Sequence, residues 1–385
     1  MTNIIKSLSI EGYKSIRQMR DFELGHVNIL VGSNGAGKSN FIGFFRFLRE
    51  MIDERLQVTV QRGGGAAAYL HLGPKVTRAI KASLRFGANQ YDFSLVPTVD
   101  GRLIVEEEKT YYYGPMGVGE RTLGTGNPEA RVRSKKDAPG ANGSAHGVPY
   151  HVYESVSGWI VYHFHDTSDT AAVRLQGLVS DSDYLRSDAG NLAAFLYRLQ
   201  QTQPDSYSRI VATIRLAAPF FGDFRLRPNP LNSDYISLEW VQKDSDYPFL
   251  PSQLSDGTLR FICLATALLQ PDLPATMIFD EPELGLHPFA LVLLSRLLRG
   301  ATQPWGFPIK QVIVSTQSAL LLNEFSPDEV IVVERIDGQS SFRRLQSEDL
   351  TIWLEDYTLG ELWQKNIFGG RPRSEASRDE EAGLR

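Results

Sequence analysis

Eight residues, Gly32-Ser33-Asn34-Gly35-Ala36-Gly37-Lys38-Ser39, fit the phosphate-cradling pattern G-x-x-x-x-G-K-[ST] at every fixed position. Glycines let the backbone curl until successive N–H groups face one anion, and the helix opening at Asn40 adds the positive end of its dipole. Lys38 supplies a mobile cation and Ser39 a hydroxyl suited to Mg²⁺. The pattern requires a strand before it and a helix after it. Val27–Val31 reads as a short buried strand, and Asn40–Glu50 carries apolar residues at helical spacing. These residues imply that the loop binds a nucleotide, with Mg²⁺ held through Ser39.

A second constellation lies far downstream. The run Thr276-Met277-Ile278-Phe279 is apolar and ends in Asp280-Glu281. A buried strand that ends in two carboxylates is costly without a cation. Asp280 is placed to hold Mg²⁺ through water, and Glu281 to orient or deprotonate an attacking water. About twenty-five residues upstream stands Leu254-Ser255-Asp256-Gly257-Thr258, followed by an apolar helical run to Leu269. The Ser255 hydroxyl and the Gly257 N–H at a helix start can receive an anion. Taken alone, the same residues are also an N-cap and a turn.

The elements that must position these groups follow from the hydrophobic pattern. Strand-like stretches precede the glycine loop at Ile4–Tyr13 and Val27–Val31, and alternation returns at Ala79–Phe86, Tyr91–Pro97 and Leu103–Glu107. That is an antiparallel meander. The span 114–147 is rich in Gly, Pro, Asn and Ser around a basic cluster, Arg131–Lys136, and reads as a long mobile loop. Helical segments are expected near Asn191–Gln200 and Tyr207–Leu216, and the charged end, 371–385, as a flexible tail.

Composition bounds the rest. With 385 residues, 42% hydrophobic and 22% charged, the chain suits one large elaborated α/β domain or two lobes. A formal net charge of −5 argues against a generally basic nucleic-acid binder. A single cysteine, Cys263, excludes an intramolecular disulfide and any cysteine-based zinc site, and its apolar helical setting makes it core. No apolar stretch approaches the roughly 20 residues that span a bilayer, and Met1-Thr2-Asn3 lacks a signal-peptide core. The expectation is a cytoplasmic protein without a membrane partner.

Three further segments bear on class. Leu254–Thr258 resembles the signature of the ABC-type ATPases, usually L-S-G-G-Q, with Asp256 and Thr258 as departures. Glu283-Leu284-Gly285-Leu286-His287-Pro288 resembles the loop after the catalytic carboxylates in the RecF, SMC and OLD-like branch of that class. Gly12-Tyr13-Lys14-Ser15 resembles the adenine-side F-K-S element of the same branch. Tyr162–Ser168, Gly190–Leu192, Tyr357–Trp363 and Gly369–Pro372 are similar to a family of stand-alone bacterial ATPases related to RecF, so the resemblance covers nearly the whole chain.

The resemblance implies a P-loop NTPase of the ABC head type: a mixed α/β core, an antiparallel β subdomain and a helical lobe. Within 1–385 it implies a phosphate-loop half with the β subdomain (1–165), a helical lobe (166–250), and a signature, Asp-Glu strand and switch region (251–370). Ser255 and Gly257 then bind the γ-phosphate held by an opposite subunit, and Lys14 and Ser15 serve the nucleotide. Gln317, in Ser315-Thr316-Gln317-Ser318, stands where the branch commonly has His. Gln donates a hydrogen bond but carries no charge, which implies slow hydrolysis. The implied assembly is a homodimer around two ATP molecules, working in DNA repair or anti-phage defence with DNA or a separate effector such as a nuclease. A rival reading is an ATP-dependent sensor that sequesters a toxin without touching DNA. No coiled-coil heptads occupy the stretch between Lys38 and Leu254, unlike SMC proteins. Only 68 residues follow Gln317 (385 − 317), so nuclease activity is expected from a partner.

Two clusters carry weaker expectations. His163-x-His165-Asp166 is either a metal half-site or a strand-end hydrogen-bond cluster, and the second is favoured because no second ligand cluster has matching spacing. The role favoured for that turn is the one the ABC-type resemblance implies, a loop that senses Mg²⁺ and γ-phosphate. Tyr111-Tyr112-Tyr113 beside the basic loop is either a nucleic-acid surface or a strand edge, the latter favoured.

Overall fold

Strand β1 (Ser7–Tyr13) largely alternates exposed and buried side chains, as a half-buried strand does, and pairs antiparallel with β2 (Ile16–Glu23). Strand β3 (Val27–Val31) is buried at all five positions, the pattern of a strand covered on both faces. It leads through the glycine loop into helix α1 (Lys38–Ile52). The computed structural model describes residues 4–114, 117–140, 146–302 and 310–370. One broad stripe of α1, including Phe41, Phe44, Phe45, Phe47, Leu48 and Met51, is buried. Tyr13 meets Phe44 edge to face at 5.3 Å between ring centroids, so β1 and α1 share one aromatic core.

After the short helix α2 (Leu56–Arg62) comes the meander: β4 (Ile80–Phe86), β5 (Asn89–Pro97), β6 (Leu103–Gly114) and β7 (Gly117–Asn127). With β1 and β2 these make a six-stranded sheet in the order β2-β1-β4-β5-β6-β7. Helices α3 (Val132–Lys135) and α4 (Val148–Ser157) follow.

The span 114–147, expected as one long loop, instead contains β7 and α3. Strand β7 buries only Leu123, so side-chain pattern could not reveal it. Its backbone ladder with β6, from Val105↔Asn127 to Gly114↔Gly117, holds it as an edge strand. The chain beyond is tied down by a buried carboxylate. Glu108 accepts hydrogen bonds from Tyr91 Oη (2.9 Å) and from the N–H groups of Arg131 (2.7 Å) and Val132 (3.1 Å). Residues 115–116 and 141–145 of that span, and the expected tail 371–385, lie outside the described residues.

The chain forms two compact units, residues 160–324 being one and residues 1–159 with 325–385 the other. The 160–324 unit, second in chain order, begins within β8 (Trp159–Tyr162). Helices α5 (Leu192–Thr202) and α6 (Pro204–Ala217) stand where helices were expected. Around them lie short strands that the sequence did not announce, Phe221–Arg225, Glu239–Gln242 and Pro248–Phe249 in one sheet and Gly177–Leu178, Pro228–Asn229 and Asn232–Ile236 in another. Strands of two to five residues carry too little periodicity to read. Trp240 stacks on Phe221 and on Phe249, which gives the first of these sheets its core.

Helix α7 (Asp256–Leu269) is buried continuously from Leu259 to Leu268. It precedes β9 (Thr276–Asp280), α8 (Pro288–Thr302), β10 (Gln311–Thr316) and the short α9 (Ala319–Leu322). Strands β9 and β10 run parallel, from Thr276↔Gln311 to Asp280↔Ser315. The chain then returns to the first unit through β11 (Val330–Ile336) and β12 (Gln339–Arg344), an antiparallel pair. Strand β11 lies parallel to β3, Val330↔Ile29 to Val332↔Val31. Among the described residues no helix is long and apolar enough to cross a membrane.

Cys263 sits inside α7 as core, and burial pushes its thiol up to about 12. The thiolate is the nucleophile, so a thiol kept protonated and enclosed by burial reacts slowly. Native protein should resist maleimide at pH 8, while the urea-unfolded chain should take up one label per chain. Rapid labelling of native protein, read by mass spectrometry, would contradict the burial of this helix.

Candidate functional site

In the first unit the glycine loop is shaped by close approach. A Cβ at Gly32 would collide with the carbonyl of Val333 on β11, and one at Gly37 with the Ser340 hydroxyl on β12. Gly35 and Gly37 also adopt φ of 77° and 118°, which side-chain-bearing residues rarely take. Lys38 is buried, and its Nζ donates to the carbonyls of Gly32 (2.7 Å) and Ser33 (3.1 Å). The ammonium is therefore folded over the loop it serves. Asn34, Gly35 and Ser39 are exposed, while Ala36 is buried beneath them.

Of the two expected residues of the N-terminal element, Ser15 joins this loop. The Ser15 hydroxyl accepts from Asn40 Nδ2 (2.7 Å), and the Ser340 hydroxyl lies 2.7 Å from Ser15 Oγ and 2.6 Å from the Ala36 carbonyl. Ser340, which sequence reasoning missed, thus fastens the Lys14-Ser15 turn to the phosphate loop. Lys14 itself takes a left-handed φ of 47°. Its Nζ lies 5.6 Å and 5.4 Å from the ring centroids of Tyr13 and Tyr69. Burial, helped by Arg46, lowers its pKa below the ordinary lysine value.

In the second unit the parallel register sets Asp280 beside Ser315. The Ser315 hydroxyl donates to Asp280 Oδ1. The Glu281 N–H donates to the Ser315 carbonyl (3.0 Å) and lies 3.1 Å from its hydroxyl. This pins Glu281 in a left-handed turn at φ 43°, a conformation that costs of order 1–3 kcal/mol and persists only where surroundings fix it. The Gln317 side-chain amide donates to Glu281 Oε1. Asp280, Glu281 and Gln317 are thus brought together, with Gln317 engaged on the carboxylate.

The turn after Glu281 is bound to the switch as well. Glu283 Oε1 accepts from Thr316 Oγ1 (2.7 Å) and from the Gln317 N–H (2.8 Å). Burial pushes the Glu283 carboxyl above the ordinary glutamate range, with those hydrogen bonds working the other way.

Ser255 caps α7, accepting from the Thr258 N–H (3.2 Å), so the N-cap reading holds. Gly257 is packed so closely on the 281–287 turn that a Cβ would collide with the Gly285 carbonyl. A cavity of about 110 Å³ opens beside them, lined by Ser255, Gly257, Thr258, Gly285 and His287 among others. Two arginines with largely enclosed side chains, Arg174 and Arg260, build this region, and neither was foreseen. Arg174 ion-pairs with Asp256 (2.8 Å) and also reaches the carbonyls of Pro251, Leu254 and Thr167. Arg260 donates to the carbonyls of Phe164 (2.8 Å), His165 (3.1 Å) and Leu284. A lone arginine inside an otherwise apolar helix was the available signal, because such a charge needs several acceptors.

His165 Nε2 lies 2.5 Å from the Asp280 carbonyl, and Asp166 caps its own turn through Ser168. Among the described residues no group of three or more His, Cys, Asp and Glu could hold a metal ion. On β6, Tyr111 and Tyr113 stack at 6.2 Å. Their neighbour Lys109 is occupied by Glu107 (2.8 Å) and Glu120 (3.2 Å).

Comparison with known proteins places these groups in context. A model of the family described as "AAA domain, putative AbiEii toxin, Type IV TA system" matches residues 27–323. No curated protein matched the sequence. Among solved structures, an SMC head bound to the C-terminal winged-helix domain of ScpA superposes with a TM-score of 0.53 at 14% identity, over 90% of this chain and 99% of that one. An SMC head with an extended coiled coil, bound to the C-terminal domain of ScpA and derived from Pyrococcus furiosus, gives 0.53 at 14% identity over 91% and 98%. That likeness is one of fold: a mixed α/β ATPase head with an antiparallel sheet. The family match spans more than half of the chain, and the chain belongs to this AAA-domain family of ATP-binding ATPases, on an SMC-head-like fold of the ABC type.

Proposed function

We propose that this protein is a slow ATP-driven switch that closes as a homodimer around two ATP molecules. The observation that carries the reading is the arrangement at the end of β9, where Glu281 is held in a strained turn beside Asp280 and under the Gln317 amide. Strain of this kind is kept where geometry matters for chemistry. The phosphate loop and Lys38 receive the β- and γ-phosphates. Ser39 and Asp280 offer the hydroxyl and carboxylate oxygens that Mg²⁺ takes, and the ion would offset charge on the transferred phosphoryl group. Glu281 orients and deprotonates the attacking water. Ser255 and Gly257 contact the γ-phosphate held by the other copy, so ATP governs dimer geometry.

Gln317 is neutral, and a neutral hydrogen bond is roughly half as strong as a charge-assisted one. Turnover is accordingly slow. The output lies in DNA repair or anti-phage defence in the cytoplasm, through DNA or an effector protein. A protein effector is favoured over DNA by the net charge of −5 and by the pairing of Lys109 with two glutamates. The family description, which names a toxin and a type IV toxin–antitoxin system, points the same way.

Lys38→Ala should abolish binding of a fluorescent ATP analogue, because the variant loses the only cation in the loop. Wild-type affinity in that variant would remove the nucleotide site from the glycine loop. Glu281→Gln should keep ATP but hydrolyse it at least a hundredfold more slowly. Light scattering of that variant with ATP and Mg²⁺ should report a dimer. A monomer at saturating ATP would exclude the two-headed assembly.

A further inference from the structure

We propose that Glu283 is a positioning residue that holds the Gln317 switch in place and, through it, orients Glu281; the part that concerns turnover rests on the reading of the site given above. Glu283 stands two residues after the hydrolytic glutamate, yet its carboxylate turns away from solvent. One oxygen, Oε1, takes both the Thr316 hydroxyl (2.7 Å) and the Gln317 backbone N–H (2.8 Å). Thr316 Oγ1 in turn accepts from the Ser318 N–H at 3.0 Å, so the carboxylate organises the turn that opens α9. The other oxygen, Oε2, is enclosed and has no hydrogen-bond partner among the described residues. Enclosing a carboxylate costs free energy, and a half-satisfied one costs more. A solvated turn residue would serve equally well if the turn needed only to be polar.

The cost has a geometric return at Gln317. That residue is held at both ends, its N–H by Glu283 and its amide on Glu281 Oε1. The Glu281 backbone is separately fixed by Ser315. Two carboxylates from one turn therefore grip one glutamine. Fixing the backbone N–H restricts where the amide can reach, as a residue beyond the reacting atoms does for a catalytic ligand. The same turn carries the Leu284 carbonyl on Arg260 and packs Gly285 against Gly257.

The test combines exchange and kinetics on the full chain. Amide hydrogen exchange across residues 311–322 should be at least tenfold faster at Gln317 in Glu283→Ala than in wild type. It should stay near wild type in Glu283→Gln, whose side-chain carbonyl retains both bonds. Steady-state ATPase assays should show kcat lowered at least tenfold in Glu283→Ala, with the affinity for a non-hydrolysable ATP analogue unchanged. Glu283→Gln should recover most of that loss. In a Gln317→Ala background, adding Glu283→Ala should change kcat by less than twofold, the non-additivity of groups acting as one unit. Unchanged exchange at Gln317, or an equal loss of kcat in both backgrounds, would overturn the proposal. Accelerated exchange in Glu283→Ala, beside a wild-type protein that hydrolyses no ATP, would instead refute the hydrolytic reading while leaving the hold of Glu283 on the switch intact.

Discussion

The parallel register of β9 and β10, Thr276 opposite Gln311 through Asp280 opposite Ser315, governs the second unit. Because strand side chains alternate between faces, a slip of one residue would turn Asp280 to the opposite side and separate it from the Ser315 hydroxyl. With the register kept, the two strands end together. Asp280-Glu281 on one and Ser315–Gln317 on the other then meet without any further element to align them. Both strands are buried along almost their whole length, so apolar packing enforces the alignment that the polar ends use.

Elsewhere the polar groups depend on close backbone approach. Gly32, Gly37 and Gly257 each face an oxygen that leaves no room for a Cβ. Each sits in a segment that faces an anion in the proposed role. Backbone N–H groups can converge on a phosphate only if the chain comes close, and glycine is the residue that permits it. The buried arginines do complementary work. Arg174 and Arg260 each satisfy backbone carbonyls that irregular loops leave without partners, so the loops before and after α7 hold shape without regular secondary structure.

Much of this was legible in the sequence, for a physical reason. The glycine loop, the strand ending in Asp280-Glu281 and the helix after Ser255 are short-range patterns in which local chemistry and local structure agree. Strands β4, β5 and β6 announced themselves by alternation. Strand β7 did not, since it is held by the ladder with β6, and the chain beyond it by Glu108, a partner more than twenty residues from the atoms it binds at Arg131 and Val132. Ser340, Arg174 and Arg260 were missed for the same reason. Their roles lie in contacts to backbone atoms distant in sequence, and no periodicity encodes these. Glu283 was visible within a recognised segment, but nothing in its spacing told which neighbour it would hold.

The single cysteine, enclosed in α7, has a consequence for spectroscopy. A chain whose one native thiol is shielded needs no cysteine-free background before a probe is attached. A cysteine introduced at an exposed position would carry essentially all the label. In the proposed dimer, two copies labelled in this way would report the separation between them by electron–electron resonance or energy transfer, with the native helix core undisturbed.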